Sequence, residues 1–135
     1  MPFVLDASVT ASWLFPDEQH PAALEARRRT LGESVLVPLH WWFEIRNTLL
    51  FAERRGRISE RLTSVALDQL SRLPIEVAPQ PNDNDVLALA RRHHLTFYDA
   101  AYLELAFREH IALATLDGAL RAAAVAEAVE VISGD

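Results

Sequence analysis

The sequence has no cysteine and no lysine among its 135 residues, and all 13 of its basic residues are arginine. Without cysteine there is neither a disulfide framework nor a thiolate metal site. Without lysine the chain cannot carry a phosphate-binding loop of the Gly-Lys type, a Schiff-base mechanism or a lysine-dependent phosphoacceptor site. Only four glycines occur, and their spacing does not form a dinucleotide-binding fingerprint.

Long apolar runs are absent as well. The longest unbroken run has five residues, whereas roughly 20 are needed to cross a bilayer. The N-terminus shows neither the basic stretch nor the apolar core of a signal peptide. A hydrophobic content of 50% excludes a disordered chain. We therefore expect a folded protein with a cytoplasmic location and no membrane partner.

The net charge is −6, from 13 basic and 19 acidic residues. Proteins that hold nucleic acid through charge alone present basic stripes, so the overall balance disfavours that mode of binding. The balance does not say where each charge lies, however, and an acidic or basic patch can still form locally.

Strand and helix patterns alternate along the chain, with connections of a few residues. Strands are predicted at residues 3–5, 34–37, 75–77, 111–115 and 129–132. Helices are predicted between them, at residues 7–15, 21–31, 40–55, 59–73, 82–94, 99–109 and 117–127. This alternation is typical of a parallel β-sheet flanked by helices on both faces. The sequence therefore predicts a single α/β domain over residues 1–135.

Two aspartates lie where a parallel sheet places its site, near the carboxyl ends of strands, and a third stands at a helix start. Asp6 ends the first predicted strand, Asp117 follows the strand at 111–115, and Asp99 stands at a helix start. Each is also a favoured helix N-cap, since aspartate accepts hydrogen bonds from the unpaired N–H groups there. The two roles are compatible, because a capping carboxylate keeps a second oxygen free.

Glu44 lies on a helix that is apolar around much of its circumference. With His40, Asn47 and Thr48 it forms one polar stripe, because residues three and four apart share a helix face. A carboxylate among large apolar neighbours costs free energy unless a cation or hydrogen bonds compensate it. A solvated stripe on an amphipathic helix is the alternative interpretation.

The four acids together indicate a metal site. Carboxylates that face one another repel and raise one another's pKa. Hard divalent cations such as Mg²⁺ or Mn²⁺ prefer carboxylate oxygens and water as ligands. With one or two ions bound, such a cluster can activate water and hold a phosphodiester for in-line displacement.

Four segments of the chain resemble, in order and in spacing, the motifs of PIN-domain ribonucleases. They are Val4–Ser8, Trp42–Asn47, Tyr98–Ala106 and Ala114–Asp117. The short single-domain form is similar to VapC-type toxins of bacterial and archaeal toxin–antitoxin pairs. The resemblance runs from about residue 3 to residue 132, nearly the whole chain.

This resemblance implies Mg²⁺- or Mn²⁺-dependent cleavage of RNA in a negatively charged pocket. By position, Asp6 and Asp99 match the family's most direct metal ligands. Glu44 and Asp117 match the two acids that complete the catalytic site and orient metal-bound water.

Other positions of the motifs carry weaker expectations. Ser8 and Thr115 match hydroxyl positions beside the site, and Asn47 matches a polar residue one turn beyond the glutamate. Backbone hydrogen bonding and solvation are the alternative roles for these three. Glu104 departs from the small apolar residue common at its position. It is five residues past Asp99, or about 140° around a helix, and is expected to face elsewhere.

The resemblance further implies a homodimer and a cognate antitoxin whose C-terminal segment enters the active cleft, often through a basic side chain. Large aromatics of the kind enriched at interfaces include Trp41, Trp42 and Phe43, although ordinary core packing is the alternative. Arginines cluster near helix ends, where they complement the helix dipole. A subset, with Arg46 beside the glutamate motif, is a candidate for contacts to RNA phosphates.

These observations predict a metal-dependent endoribonuclease that acts as the toxin of a toxin–antitoxin pair. Two alternatives remain: a PIN-like RNA-processing nuclease without an antitoxin, and a non-catalytic binding module on the same fold. The presence of all four acids disfavours the binding module.

Overall fold

Residues 1–15 and 17–134 are described by the computed structural model, and they form four short strands and seven helices. The strands are β1 (Phe3–Leu5), β2 (Val35–Val37), β3 (Ile75–Val77) and β4 (Ala112–Ala114). The helices are α1 (Ala7–Leu14), α2 (Pro21–Arg29), α3 (Leu39–Arg54), α4 (Glu60–Ser71), α5 (Asp83–His93), α6 (Phe97–Glu109) and α7 (Gly118–Ala126). The predicted α/β architecture is confirmed.

The four strands pair in parallel in the order β3-β2-β1-β4. The chain builds outward from β1 through β2 to β3, and then crosses to the other side of β1 to form β4. All three residues of β1 are fully buried, as expected for a strand covered on both faces. Strand order therefore reverses between β1 and β4. In open parallel sheets the crevice at this switch point is where ligands bind.

Helix α6 is the most deeply embedded helix of the fold. Every residue from Ala100 to Ala106 is buried, and the helix packs against β1, β4, α5 and α7. A helix that is covered on several sides provides a rigid support for its first turn, which carries Asp99. Across the described part of the chain, no helix is both long and apolar enough to span a membrane.

The start of α6 differs from the prediction. The helix begins at Phe97, two residues before Asp99, because Thr96 is its N-cap and accepts a hydrogen bond from the Asp99 N–H at 3.1 Å. Threonine at this position supplies the capping oxygen. The Asp99 carboxylate is thereby released from the capping role that its sequence position allowed.

The predicted closing strand at 129–132 is not formed. Val131 makes only an isolated bridge to Leu113. The Leu113 N–H donates to the Glu130 carbonyl at 2.9 Å, and the Ile132 N–H donates to the Leu113 carbonyl at 3.0 Å. Ile132 is buried. The alternating pattern of this segment therefore reflects burial of one side of the chain, but the backbone pairs with β4 at a single position.

Candidate active site

Asp6 follows β1 directly and is buried, with 4% of its surface exposed. Its carboxylate accepts three hydrogen bonds: Ser8 Oγ and the Val9 N–H donate to Oδ1 at 2.6 and 3.1 Å, and Thr115 Oγ1 donates to Oδ2 at 2.5 Å. The Val9 bond makes Asp6 the N-cap of α1. Burial raises the pKa of Asp6, the three hydrogen bonds oppose this increase, and the carboxylate of Asp99 adds to it.

The hydroxyls of Ser8 and Thr115 join the ends of β1 and β4. Each hydroxyl donates a hydrogen bond to Asp6 and accepts one from a backbone N–H of the segment after β4. Ser8 Oγ accepts from Leu116 at 2.9 Å, and Thr115 Oγ1 accepts from Asp117 at 3.0 Å. The two hydroxyls therefore fix the segment that carries Asp117 relative to the buried carboxylate.

Asp117 caps helix α7 and faces solvent. Its Oδ2 accepts a hydrogen bond from the Leu120 N–H at 2.8 Å. Among the described residues no donor contacts its Oδ1, so this oxygen is available to a ligand. The capping and site roles predicted for this residue are compatible in the structure.

Asp99 is half-buried in the first turn of α6 and is the electrostatic centre of the four acids. Burial raises its pKa, and the carboxylates of Asp117 and Glu44 raise it further, while His40 opposes them. Asp99 in turn raises the pKa of Asp6. The fold thus brings all four predicted acids into one neighbourhood, although they come from four separate segments of the chain.

Glu44 is held by a residue that sequence analysis missed. The hydroxyl of Tyr102 donates to Glu44 Oε1 at 2.7 Å across 58 positions of sequence. Tyr102 has only 1% of its surface exposed. Burial and the adjacent carboxylate raise the pKa of Tyr102, so its hydroxyl stays protonated as a donor. A signal was present, since Tyr102 is three residues after Asp99 and so lies on the same helix face.

His40 lies on the other side of the glutamate. Its Nε2 is 3.4 Å from Glu44 Oε1, and its ring contacts those of Tyr102 and Tyr98 at centroid distances of 4.7 and 5.4 Å. Burial lowers the pKa of His40, while the carboxylates of Glu44 and Asp99 oppose this decrease. The imidazole and the two phenol rings therefore form the apolar wall behind Glu44.

The remaining predicted positions lie outside this cluster. Asn47 is exposed on α3 and makes no side-chain hydrogen bond within the described residues. Glu104 is buried and accepts a hydrogen bond from Arg108 Nε at 3.1 Å, in agreement with its exclusion from the site. Arg46 stacks on Trp42, with 4.0 Å between the guanidinium carbon and the ring centroid.

The four carboxylates match the donor preference of Mg²⁺ and Mn²⁺, which take oxygen ligands. Burial and the carboxylate of Asp99 raise the pKa of Asp6, and burial and the carboxylates of Asp117 and Glu44 raise the pKa of Asp99, an effect that a bound cation would offset. Over residues 1–15 and 17–134, no three Asp, Glu or His side chains converge as a complete ligand set for one ion. Because Mg²⁺ is commonly held by one or two carboxylates and several waters, the residues present fit a partly hydrated ion.

The sequence and the fold were compared with known proteins. The family model described as PIN domain matches residues 3–126. Twelve chains of solved structures match, among them the crystal structure of PAE2754 from Pyrobaculum aerophilum. That structure has a TM-score of 0.72 and 25% sequence identity, covering 91% of this chain and 84% of the other. No curated protein matches the sequence.

The buried charge of Asp6 leads to a stability prediction. Asp6→Asn removes the charge, but its amide nitrogen cannot accept one of the three hydrogen bonds, so the substitution also carries a cost that does not depend on pH. Because the folded-state pKa of Asp6 is raised, its ionisation opposes folding, and this opposition grows as the pH rises above the ordinary value of 3.8. The free energy of unfolding of Asp6→Asn, relative to that of the unsubstituted protein, should therefore increase from acid to neutral pH. Urea unfolding in EDTA across this range measures the difference, and a difference that stays constant or falls as the pH rises contradicts the prediction.

The bond from Tyr102 to Glu44 leads to a prediction about activity. Tyr102→Phe should lower the cleavage rate at saturating RNA about tenfold, because Glu44 loses one of its two positioning contacts, at a stability cost of about 1 kcal/mol. A double-mutant cycle with Glu44→Ala separates this role from a general packing effect. If Tyr102 acts through Glu44, the substitution has no further effect on the rate in the Glu44→Ala background. An equal loss in both backgrounds contradicts the assignment.

Proposed function

The chain belongs to the PIN domain family, and from this premise we propose that it is a metal-dependent endoribonuclease acting as the toxin of a toxin–antitoxin pair. The PIN domain is a nuclease fold, and its members generally use divalent metal ions. The observation that carries the proposal is the charge interaction among the four acids at the switch point of the sheet: Asp99 raises the pKa of Asp6, and the carboxylates of Asp117 and Glu44 raise the pKa of Asp99.

Asp6 and Asp99 are the proposed holders of Mg²⁺ or Mn²⁺. The bound ion would supply a lowered pKa for water and charge neutralisation for the phosphodiester. In support of this role, three hydrogen bonds restrict rotation of the Asp6 carboxylate. Asp99 is more accessible and projects from the first turn of an embedded helix.

Glu44 is the proposed base. Its Oε1 accepts the Tyr102 hydrogen bond, which leaves Oε2 to orient an attacking water and accept its proton. The Glu44 side chain is 39% exposed, so water and substrate can reach it. Asp117, whose Oδ2 caps α7, is the fourth acid of the proposed pocket. By analogy with the family, attack of water on phosphorus would expel the 3′-oxygen and leave a 5′-phosphate and a 3′-hydroxyl.

Two features support an antitoxin as partner. The acidic pocket attracts a basic side chain. An adjoining cleft of about 270 Å³ is lined largely by apolar residues, among them Leu39, Phe43, Pro79 and Phe97. An extended segment can place apolar residues in this cleft and a basic residue against the acids. Of the aromatics considered for docking, Phe43 lines the cleft, whereas Trp41 is core. From the resemblance to VapC-type toxins we also propose that the protein is a homodimer and acts in the cytoplasm.

The nuclease proposal predicts metal-dependent cleavage of RNA by the purified protein. EDTA should abolish cleavage, and Asp6→Asn and Asp99→Asn should each lower its rate at least a hundredfold. Substitution of residues that only orient metal ligands commonly lowers metal affinity or activity about 10- to 100-fold, and loss of a ligand itself should cost more. Asp68→Asn, an exposed acid of α4 outside the pocket, is the matched control and should leave the rate unchanged. Gel analysis of labelled RNA measures each rate. Cleavage that persists in EDTA or in both pocket variants contradicts the mechanism.

The toxin proposal predicts growth arrest when the chain is expressed without a partner. Asp99→Asn should relieve the arrest at equal protein level, as judged by immunoblotting, and Asp68→Asn should not. Co-expression of a small adjacent gene product that binds the purified protein should relieve it as well. Normal growth together with active metal-dependent cleavage in vitro favours the RNA-processing alternative. Neither cleavage nor arrest, with RNA binding retained, favours the binding module.

A further inference from the structure

The outer face of α3 carries an unusual set of side chains. One row, with residues four apart, contains Trp42, Arg46, Leu50 and Arg54. Trp42 is 44% exposed, and Arg46 stacks on its indole. The guanidinium of Arg46 also donates to the Trp42 carbonyl at 3.2 Å. These contacts hold a planar cation flat against an exposed aromatic ring.

A second row lies beside the first and contains Phe43, Asn47, Phe51 and Arg55. Phe43 and Phe51 are 60% and 49% exposed. Arg55 repeats the arrangement of the first row, with its guanidinium carbon 4.3 Å from the Phe51 ring centroid. We call the two rows together the α3 stripe. From residue 42 to residue 55 it spans about 20 Å.

The charge of the α3 stripe is opposite to that of the chain. The chain carries −6, yet the eight stripe positions contain three arginines and no acid. Arg46, Arg54 and Arg55 make no ion pair with any carboxylate among the described residues. Arg57, just beyond the helix, is by contrast paired with Asp17 and Glu18. The stripe cations are therefore uncommitted and available to an anionic partner.

The stripe adjoins the proposed active site. Phe43 is the neighbour of Glu44 in sequence, and Asn47 lies one turn further along the same helix. Beyond them a cleft of about 410 Å³ is lined by residues that include Asn47, Thr48, Phe51 and Arg55. An extended ligand centred on Glu44 can therefore continue along this cleft without leaving α3.

From this arrangement we infer that the α3 stripe is a binding track for single-stranded RNA, an inference that rests on the proposed function. Exposed aromatic rings and guanidinium planes are the surfaces on which unpaired bases stack. Uncommitted arginines bind the phosphates between them. Three unpaired cations without any acid favour a polyanion over a protein surface that carries charges of both signs. Recognition by stacking depends little on base identity.

The test measures RNA binding separately from cleavage. All proteins carry Asp99→Asn, so that the RNA stays intact, and the probe is a fluorescein-labelled oligouridine of about 12 nucleotides. Fluorescence anisotropy at several salt concentrations gives the affinity and its salt dependence. The variants are Trp42→Ala and the Arg54→Gln/Arg55→Gln pair. The control is Arg91→Gln, which removes another exposed arginine, on α5.

We expect the arginine pair to reduce the slope of log affinity against log salt by about 1.4, from two lost phosphate contacts at about 0.7 each. Trp42→Ala should weaken binding about tenfold with little change in slope, because stacking is not ionic. Arg91→Gln should change neither quantity. Unchanged affinity and slope in both stripe variants overturn the inference. If RNA binding is unchanged but Trp42→Ala changes the mass measured by sedimentation, the α3 stripe is a contact between protein chains instead.

The inference and the proposed function can fail independently. If RNA binding depends on the α3 stripe but the protein with an unsubstituted Asp99 does not cleave RNA with Mg²⁺ or Mn²⁺, the nuclease proposal is contradicted. The inference that the α3 stripe binds RNA then still stands. Metal-dependent cleavage with binding that is insensitive to both stripe variants contradicts the track alone.

Discussion

The buried carboxylate of Asp6 is the constraint on which the rest of the site depends. It lies at the carboxyl end of the central strand and accepts hydrogen bonds from Ser8 and Thr115, whose hydroxyls also bind the backbone after β4. One charged group thereby joins the two strands between which strand order reverses. The arrangement fixes the Asp6 carboxylate and joins it, through Thr115, to the backbone N–H of Asp117. An acid buried at such a point is costly unless hydrogen bonds compensate it, and here they do so only in part.

The proposed action of this acidic chain on RNA rests on how its charge is distributed. Four acids converge at one end of the sheet, and burial together with mutual repulsion raises the pKa of two of them, Asp6 and Asp99. The pocket is therefore repulsive to phosphate until a cation is bound. The outer face of α3 has the opposite character, with three unpaired arginines and exposed aromatic rings. The net charge of −6 averages over two surfaces with different roles.

Local sequence patterns predicted most of the strands and helices, but not the conformation of the segment 129–132 or the residue at which α6 begins. Alternating strand and helix patterns identified all four strands and seven helices of the described chain, since apolar periodicity reports which side of a segment is buried. The same signal failed at 129–132, where one side is buried but only Val131 bridges to β4. The start of α6 was also predicted at Asp99, whereas the helix begins at Phe97. Aspartate and threonine are both favourable N-cap residues, and the sequence does not show which of the two caps the helix.

The sequence by itself determined the fold class and the four acids, because strand-end positions in a parallel sheet and motif spacing are local properties of the chain. Only the tertiary structure decided how those acids differ. Asp6 is buried and accepts three hydrogen bonds, the carboxylates of Asp117 and Glu44 raise the pKa of Asp99, and Glu44 is positioned by Tyr102, 58 residues away. Such differences arise from contacts between distant segments, which periodicity does not encode. The basic character of the α3 face likewise required knowing which arginines remain unpaired after folding.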